Sequence, residues 1–456
     1  MNHQREGLPG GKDRSDMTRR QEIETYIADE SIRYDVIVAG GGPAGLGAAM
    51  AAARQGAKTL ILEGRAFFGG VAAVSGWMPM NRLFLNEGSR GGVHALFTEQ
   101  IQSMGPTASR QGKTTWVDGD GLHIHPDYLR LAALETLEKL GCHYALHSPV
   151  TGVEMDGSRI RRVICDGKYG RHTYQATTFI DATGDGDLAF YAGAPTAKGR
   201  EDDGIFMPTT LNFVLAHVDE DRLEAGLKAM GDRFMQLFEP YREQGYSVSG
   251  FYSFDRTTVP GVVSVNNSGQ SDVGRIDATD LRDINVAARL NLQVAFDFIT
   301  IAQKEKLPGL ENCRLVRTGD DLGIRETRRV MGDYVLTLED TQQGVEFPDV
   351  IARRYGTIDP GGLKEAENYH GSIANGHAFP YRSLLPRQVD GLLLAGRCAS
   401  MTHVAATVCK SMGNMMALGQ AAGIAAALSA AQNILPRDLD VRLIQDILRQ
   451  WQVDQF

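Results

Sequence analysis

The chain has 456 residues, with 47 Lys and Arg against 56 Asp and Glu, a formal net charge of −9. Charged residues at 23% and hydrophobic ones at 43% exclude a largely disordered chain and leave room for two or three domains around a large core. The acidic balance argues against nucleic acid as the main partner, and 52 glycines, about 11% against the usual ~7%, point to turns and close backbone approaches.

Residues 1–30 are polar, lack the apolar core of a signal peptide and read as a mobile tail; no hydrophobic run follows Arg19-Arg20. Tyr34 to Ala39 is a β-branched run suited to a strand buried on both faces. It runs straight into Gly40-Gly41-Gly42-Pro43-Ala44-Gly45, where Gly40, Gly42 and Gly45 fill the three glycine positions of GxGxxG. Gly40 permits the tight turn, Gly42 lets a pyrophosphate approach the backbone, and Gly45 lets helix and strand pack closely. The helix expected over Ala44–Gln55, opened by Pro43, aims unpaired N–H groups and its positive dipole end at the phosphates. A second strand, Lys58 to Leu62, ends in Glu63, 18 residues past Gly45 and close to the ~20 expected for a carboxylate on ribose hydroxyls. Strand, loop, helix and acid together read as a dinucleotide site.

The next residues favour FAD over NAD. Gly64-Arg65 and Phe68-Gly69-Gly70 resemble the adenine and pyrophosphate lining of FAD enzymes with the glutathione-reductase-type fold. Thr178 to Asp185, with Ala182-Thr183-Gly184 at its end, and Gly391 to Arg397, ending at Gly396-Arg397, look like the strands that close over FAD. Small residues at Gly419, Ala422, Gly423 and Ala426 let a late helix lie against the first one. Its start, at Gly413, Asn414 and Met415, would stabilise negative charge on the N1–C2=O edge of a reduced flavin. The run Met412–Ala431 holds Asn414 and Gln420 and reads as a buried core helix, not a bilayer span.

With GIRETRRVMGDYVLT at 323–337 and Pro380 to Pro386, these stretches carry a resemblance to the FAD-dependent oxidoreductase family, distantly similar to fumarate-reductase flavoproteins, over residues 34 to about 430. The resemblance implies an α/β fold: a discontinuous Rossmann-like FAD-binding domain with a three-strand β meander, plus an inserted α+β substrate domain. It also implies that Val150 offers its backbone near the adenine. Gly69-Gly70-Val71-Ala72-Ala73 departs from the family's usual Gly-Gly-x-Ala-Thr. Lys410-Ser411-Met412-Gly413-Asn414-Met415 departs from its Arg-Val-Met-x-Thr-Cys.

The expected organisation is a tail over 1–30, the FAD-binding domain over 31–202, a substrate or cap domain over 203–375, a return segment over 376–435 and a C-terminal helix over 436–456. Elements expected within it are a helix from Pro126 to about Leu140, meander strands at Val150–Met155, Ile160–Cys165 and His172–Thr177, and a strand at Thr209–His217. Helices are expected near 220–230, 232–245 and 280–304. Cys142, Cys165, Cys313, Cys398 and Cys409 have no metal-ligand or CxxC spacing and read as reduced thiols of a cytoplasmic protein, with no metal site.

Candidate catalytic residues come from segments the fold should bring to the ring. His403 suits proton transfer near neutrality. Lys410 could stabilise reduced flavin or an anionic substrate. Arg325, Arg328 or Arg329 could bind a substrate carboxylate, or pair with Glu326 or Asp333. Tyr381 and Arg382 flank the 380–386 segment, His370 and His377 lie in a Gly-rich loop, and Cys409 could touch the flavin. The leading expectation is hydride transfer between flavin N5 and a small polar substrate, by CH–OH or CH–NH oxidation or reduction of an activated C=C. An external electron acceptor or donor completes it, no membrane is needed, and a homo-oligomer is possible. A flavin monooxygenase and a non-catalytic FAD-binding relay subunit remain the alternatives.

Overall fold

Short apolar runs without room for a solvent face must bury both sides, and the computed structural model, which describes residues 16–78, 80–81, 91–113, 120–269, 276–354 and 377–453, places them in one sheet. Its strands in chain order are β1 (Arg33–Ala39), β2 (Thr59–Leu62), β3 (His143–Ala145), β4 (Val150–Asp156), β5 (Arg159–Gly167) and β6 (Gly170–Asp181), joined by Leu392–Leu394 from late in the chain. β1 lies parallel between β2 and β6, with Val38 opposite Ile61 on one side and Ile180 on the other. β3 extends the parallel set beyond β2, and Leu392–Leu394 runs parallel to the last part of β6. β4, β5 and β6 pair antiparallel in succession.

β6 corrects one expectation. His172–Thr177 and Thr178–Asp185 were read as two strands, but nothing at residues 177–178 breaks the backbone. One 12-residue strand carries the chain from the antiparallel ladder into the parallel one.

Helix α1 (Pro43–Arg54) follows the glycine loop, α2 (Val71–Val74) follows the second glycine pair, and α3 (Gly92–Ser103) and α4 (Pro126–Lys139) pack beside them. α5 (Leu281–Lys304) belongs to the middle of the chain, which returns at its end through α6 (His403–Cys409) and α7 (Met412–Gln432). α1 and α7 meet backbone to backbone. A Cβ on Gly419 would lie 1.9 Å from the Ala44 carbonyl oxygen, and one on Gly423 2.2 Å from that of Ala48. By length and composition α7 could cross a membrane; here Met412 to Ala427 are all buried in the core.

A second, antiparallel sheet holds β7 (Phe213–Ala216), β8 (Tyr252–Arg256), β9 (Val263–Asn267) and β10 (Arg314–Thr318), in the order β8-β9-β7-β10. Phe213, Phe254 and Val265 on one face pack on Val294, Phe298 and Ile301 of α5. β7 is shorter than the expected Thr209–His217 because residues 207–210 bond elsewhere: Met207 N–H donates to Glu326, and Thr210 pairs with Gly323. The helix expected over 232–245 divides into Arg233–Gln236 and Glu239–Glu243, with Pro240 unable to donate a backbone bond between the turns.

Residues 16–30, expected as tail, are partly tied down. Asp16–Glu24 is helical, Ala28 N–H donates to the Tyr144 carbonyl at 3.0 Å, and Thr173 N–H donates to Glu30 at 2.6 Å. The C-terminal helix spans Val441–Gln450 and buries Ile444 and Leu448.

Candidate active site

Predicted residues gather in two clusters, at the start of α1 and at the start of α7. The first is the glycine cradle. Gly40 has φ +97°, and a Cβ there would sit 2.4 Å from the Ala182 carbonyl oxygen; one on Gly45 would sit 1.7 Å from that of Gly40. Gly42 caps α1 with no side-chain hydrogen bond, and Pro43 takes its first turn. A Cβ on Gly70 would come within 2.8 Å of the Gly42 Cα, and one on Gly396 within 2.9 Å of the Ala44 Cβ. Backbone alone therefore lines the mouth of α1, between Gly42 and Gly70. A bare helix N-terminus flanked by glycines fits a pyrophosphate, whose oxygens need N–H donors and no Cβ in the way.

Glu63 is buried, and its first partners are local: Gly41 N–H donates to Oε2 and Arg65 N–H to Oε1, each at 2.8 Å. Each carboxylate oxygen keeps a further lone pair, so a ribose hydroxyl can still be served. Gly64 packs on Pro149, just before Val150 opens β4. The Arg65 guanidinium turns outward to Asp321, half exposed, rather than into the cradle.

The Ala182-Thr183-Gly184 turn is held by Asp181. Burial pushes this carboxyl up to about 6, against hydrogen bonds from Ala189 N–H and from the Thr183 hydroxyl and N–H. Gly184 has φ +79°, and the Arg397 guanidinium lies 3.1 Å from where its Cβ would be. Arg397 donates to Asp185 at 2.6 Å and to Thr327 at 3.0 Å. Burial alone would raise Asp185; Arg397, Thr327 and Arg328 overcome that and hold it below the usual range.

The second cluster is the α6–α7 junction. Ser411 precedes α7 without a side-chain capping bond. Ser411 Oγ and Asn414 Nδ2 are buried and find no partner among the described residues, and Met415 is buried beside them. The Gly413 carbonyl is 2.9 Å from His94 Nε2, and burial pushes His94 down to about 4, so it stays neutral. Buried polar atoms are normally paired. Two of them beside an uncapped helix start fit the carbonyl and N–H edge of a flavin ring.

His403, at the start of α6, is fully buried. Its Nδ1 lies 2.9 Å from Glu326 Oε1 and 2.8 Å from Oε2, while Nε2 has no partner among the described residues. Glu326 also meets the buried Arg329 guanidinium, which in turn donates to the Gly199 carbonyl at 2.8 Å and to Glu201 at 3.1 Å. The half-exposed Glu201 accepts from His403 N–H at 3.1 Å, closing the network at the surface. The pairing weighed for the 325–329 arginines is thus realised between Arg329 and Glu326. Glu326 itself, as partner of His403, was missed; the signal was one acid among three arginines.

The other candidates have partners of their own. Arg325 donates to the Pro208 and Asn267 carbonyls at 2.8 and 3.2 Å, Arg328 pairs with Asp187 at 2.8 Å, and Arg382 with Asp349 at 2.9 Å. Lys410 ends α6 and donates to the Thr407 carbonyl at 2.9 Å. The buried Tyr381 hydroxyl, expected as a catalytic group, donates to the Pro436 carbonyl at 2.9 Å, and burial pushes its pKa well up. His377 starts a strand and is buried; His370 and the rest of the loop before His377 lie outside the described residues. All five cysteines are buried, and none is in a disulfide.

The profile of the FAD dependent oxidoreductase family matches residues 35–448, and the chain belongs to that family. A stretch of 62 residues, 13% of this chain, is 41% identical to 10% of a 4-oxocyclohex-2-ene-1-carboxylate 5-dehydrogenase of Sinomonas cyclohexanicum. Another of 58 residues, 12% of this chain, is 43% identical to 10% of a 3-oxosteroid 1-dehydrogenase of Mycolicibacterium smegmatis. These matches span about a tenth of each curated relative's length. Among solved structures, a geranylgeranyl bacteriochlorophyll reductase-like protein of Thermoplasma acidophilum aligns with a TM-score of 0.45 at 15% identity, over 92% of this chain and 84% of that one.

Proposed function

We propose that this FAD-dependent oxidoreductase moves hydride between flavin N5 and a small polar molecule, with His403 handling the accompanying proton. When bound, FAD supplies the two-electron chemistry at N5. Gly42, Gly70 and the start of α1 hold the pyrophosphate, and Glu63 with Val150 serves the adenosine half. The start of α7, with Ser411 and Asn414, holds the polar ring edge and stabilises negative charge there. His403 Nε2 takes or returns the proton of the substrate heteroatom. Glu326 orients the imidazole through Nδ1 and balances its positive charge, as a carboxylate does for a catalytic histidine. Arg329 balances Glu326 in turn, and Glu201 links the network to solvent. Electrons then pass to or from an external carrier.

The buried His403–Glu326 pair with a free Nε2 carries this reading. A subunit that only relays electrons needs no such acid–base pair. The test is anaerobic mixing of the FAD-loaded protein with a metabolite panel, followed at the flavin band near ~450 nm. A true reductant bleaches the wild type, and His403→Ala slows that bleaching by about 10²-fold or more. Unchanged kinetics in the variant remove His403 from the mechanism.

A further inference from the structure

The antiparallel sheet has two unlike faces. One is the aromatic face on α5. On the other, the ladder puts Val214, Ser264 and Asp255 in one row and Asn266 with Ser253 in the next. Asp255 is 5% exposed and Ser253 4%, and Ser264 is fully buried. A polar row that deep is normally paired throughout. Here Asn212 Nδ2 and Asn266 Oδ1 have no partner among the described residues. Asp255 has neither a hydrogen bond nor an ion pair there, and burial alone pushes its carboxyl up to about 7.

This face is turned toward the cofactor side of the molecule. Ser264 Oγ donates to the Gly76 carbonyl at 2.8 Å, Asp320 N–H to the Val74 carbonyl at 2.8 Å, and Trp77 Nε1 reaches Thr258 Oγ1 at 3.4 Å. Residues 74–77 leave α2, which starts at the Gly70 that packs on Gly42. Even fully extended, the chain from Gly70 to Gly76 reaches about 20 Å. Trp77 holds φ +64°, a left-handed conformation that bulky residues rarely adopt. At the other end of the face, Arg325 donates to the Asn267 carbonyl while the next residue, Glu326, holds His403. The polar face thus lies between residues 74–77 and Arg325, the residue before the partner of His403.

We propose that this face is the substrate wall, where Asp255, Asn212 and Asn266 recognise the oxygen of an uncharged alcohol or ketone. The inference rests on the preceding reading of where the flavin ring lies. A carboxyl that titrates near neutrality can accept from an alcohol and donate to a ketone, and so serves both ends of that couple. The amide of Asn212 adds a donor and that of Asn266 an acceptor. An anionic substrate is disfavoured: Arg317, on the same row as Val214, is already bonded to Asp320 and the Thr318 carbonyl, and Asp255 repels a second carboxylate.

The test titrates FAD-loaded protein with cyclohexanol, cyclohexanone and cyclohexanecarboxylate, reading perturbation of the flavin spectrum. The neutral pair should perturb the flavin and the carboxylate should not. Asp255→Leu should weaken the neutral probes about tenfold, the effect of losing one buried polar contact. Asp255→Asn, nearly isosteric, should bind FAD as wild type does and fall between. Preference for the carboxylate, no response to either neutral probe, or unweakened binding in Asp255→Leu overturns the assignment. The bleaching rate of His403→Ala tests the proton-transfer reading and the Asp255→Leu titrations test this one, so failure of either is told apart from failure of the other.

Discussion

The parallel and antiparallel sheets solve opposite problems. The parallel sheet presents a site without side chains: Gly40, Gly42, Gly45 and Gly70 work because a Cβ at any of three of them would strike backbone, and Gly42 keeps the mouth clear. The antiparallel sheet presents side chains: Asp255 and Asn212 are buried and Asn266 half-buried on one face, where Asn212 Nδ2 and Asn266 Oδ1 have no partner among the described residues. A group common to many enzymes, such as a pyrophosphate, can be held by main chain. A particular substrate needs particular side chains. Damage to the first sheet should therefore cost the cofactor, and damage to the second should cost selectivity alone.

The largest effect that can break this comparison is at Gly45. Gly45→Val forces a Cβ into the Gly40 carbonyl, so the protein should be isolated colourless or not at all, whereas Ser264→Ala should stay yellow. An FAD-loaded Gly45→Val would refute the main-chain account. Next comes Glu326→Gln. It leaves the buried Arg329 charge with only the half-exposed Glu201 as counter-charge and should cost up to about 3–5 kcal/mol in chemical denaturation, besides slowing flavin reduction. Loss of rate without loss of stability would detach Arg329 from the network.

Smaller, and of opposite sign in the two regions, are the pH effects. His94 is depressed to about 4 from the ordinary 6.5, so the unfolded chain binds the proton first and stability falls as pH drops from 6.5 toward 4. Asp255 is raised to about 7 from 3.8, so the folded chain binds the proton first and stability falls as pH rises from 4 toward 7. Asp255→Asn should remove up to about 4 kcal/mol of that slope, and His94→Gln should flatten the acid limb. Denaturation midpoints at pH 4, 5.5 and 7 for the two variants check both signs. The smallest effect belongs to Arg65→Ala. Its pair with Asp321 is half exposed, so the change should cost at most about 1 kcal/mol and leave FAD content alone.

The cradle was legible in the sequence because its demands fall on single residues: only glycine fits at 40 or 45, and the strand and helix around them follow from local pattern. The contact of α1 with α7 was legible for the same reason, through Gly419 and Gly423. Partners set by distant packing were not. Tyr381 meets Pro436, Arg325 meets the Pro208 and Asn267 carbonyls, and Glu326 meets His403, 77 residues on. Nothing in the local pattern around those residues distinguishes one assignment from another. Asp255 was missed because strand alternation says that one face differs from the other, while which face meets the glycine loops depends on how residues 74–77 cross it.

The seam between α1 and α7 also dictates the order in which this protein can mature. Residues 43–54 emerge early from the ribosome, but the surface they require, with the strand at 392–394, emerges some 340 residues later. Until then the first helix has its neighbouring strands and the helices over 92–103 and 126–139, but the face that meets α7 is uncovered, and sequestering it falls to chaperones or to transient collapse. Truncation before Gly419 should thus yield a product that is degraded, rather than a shortened enzyme.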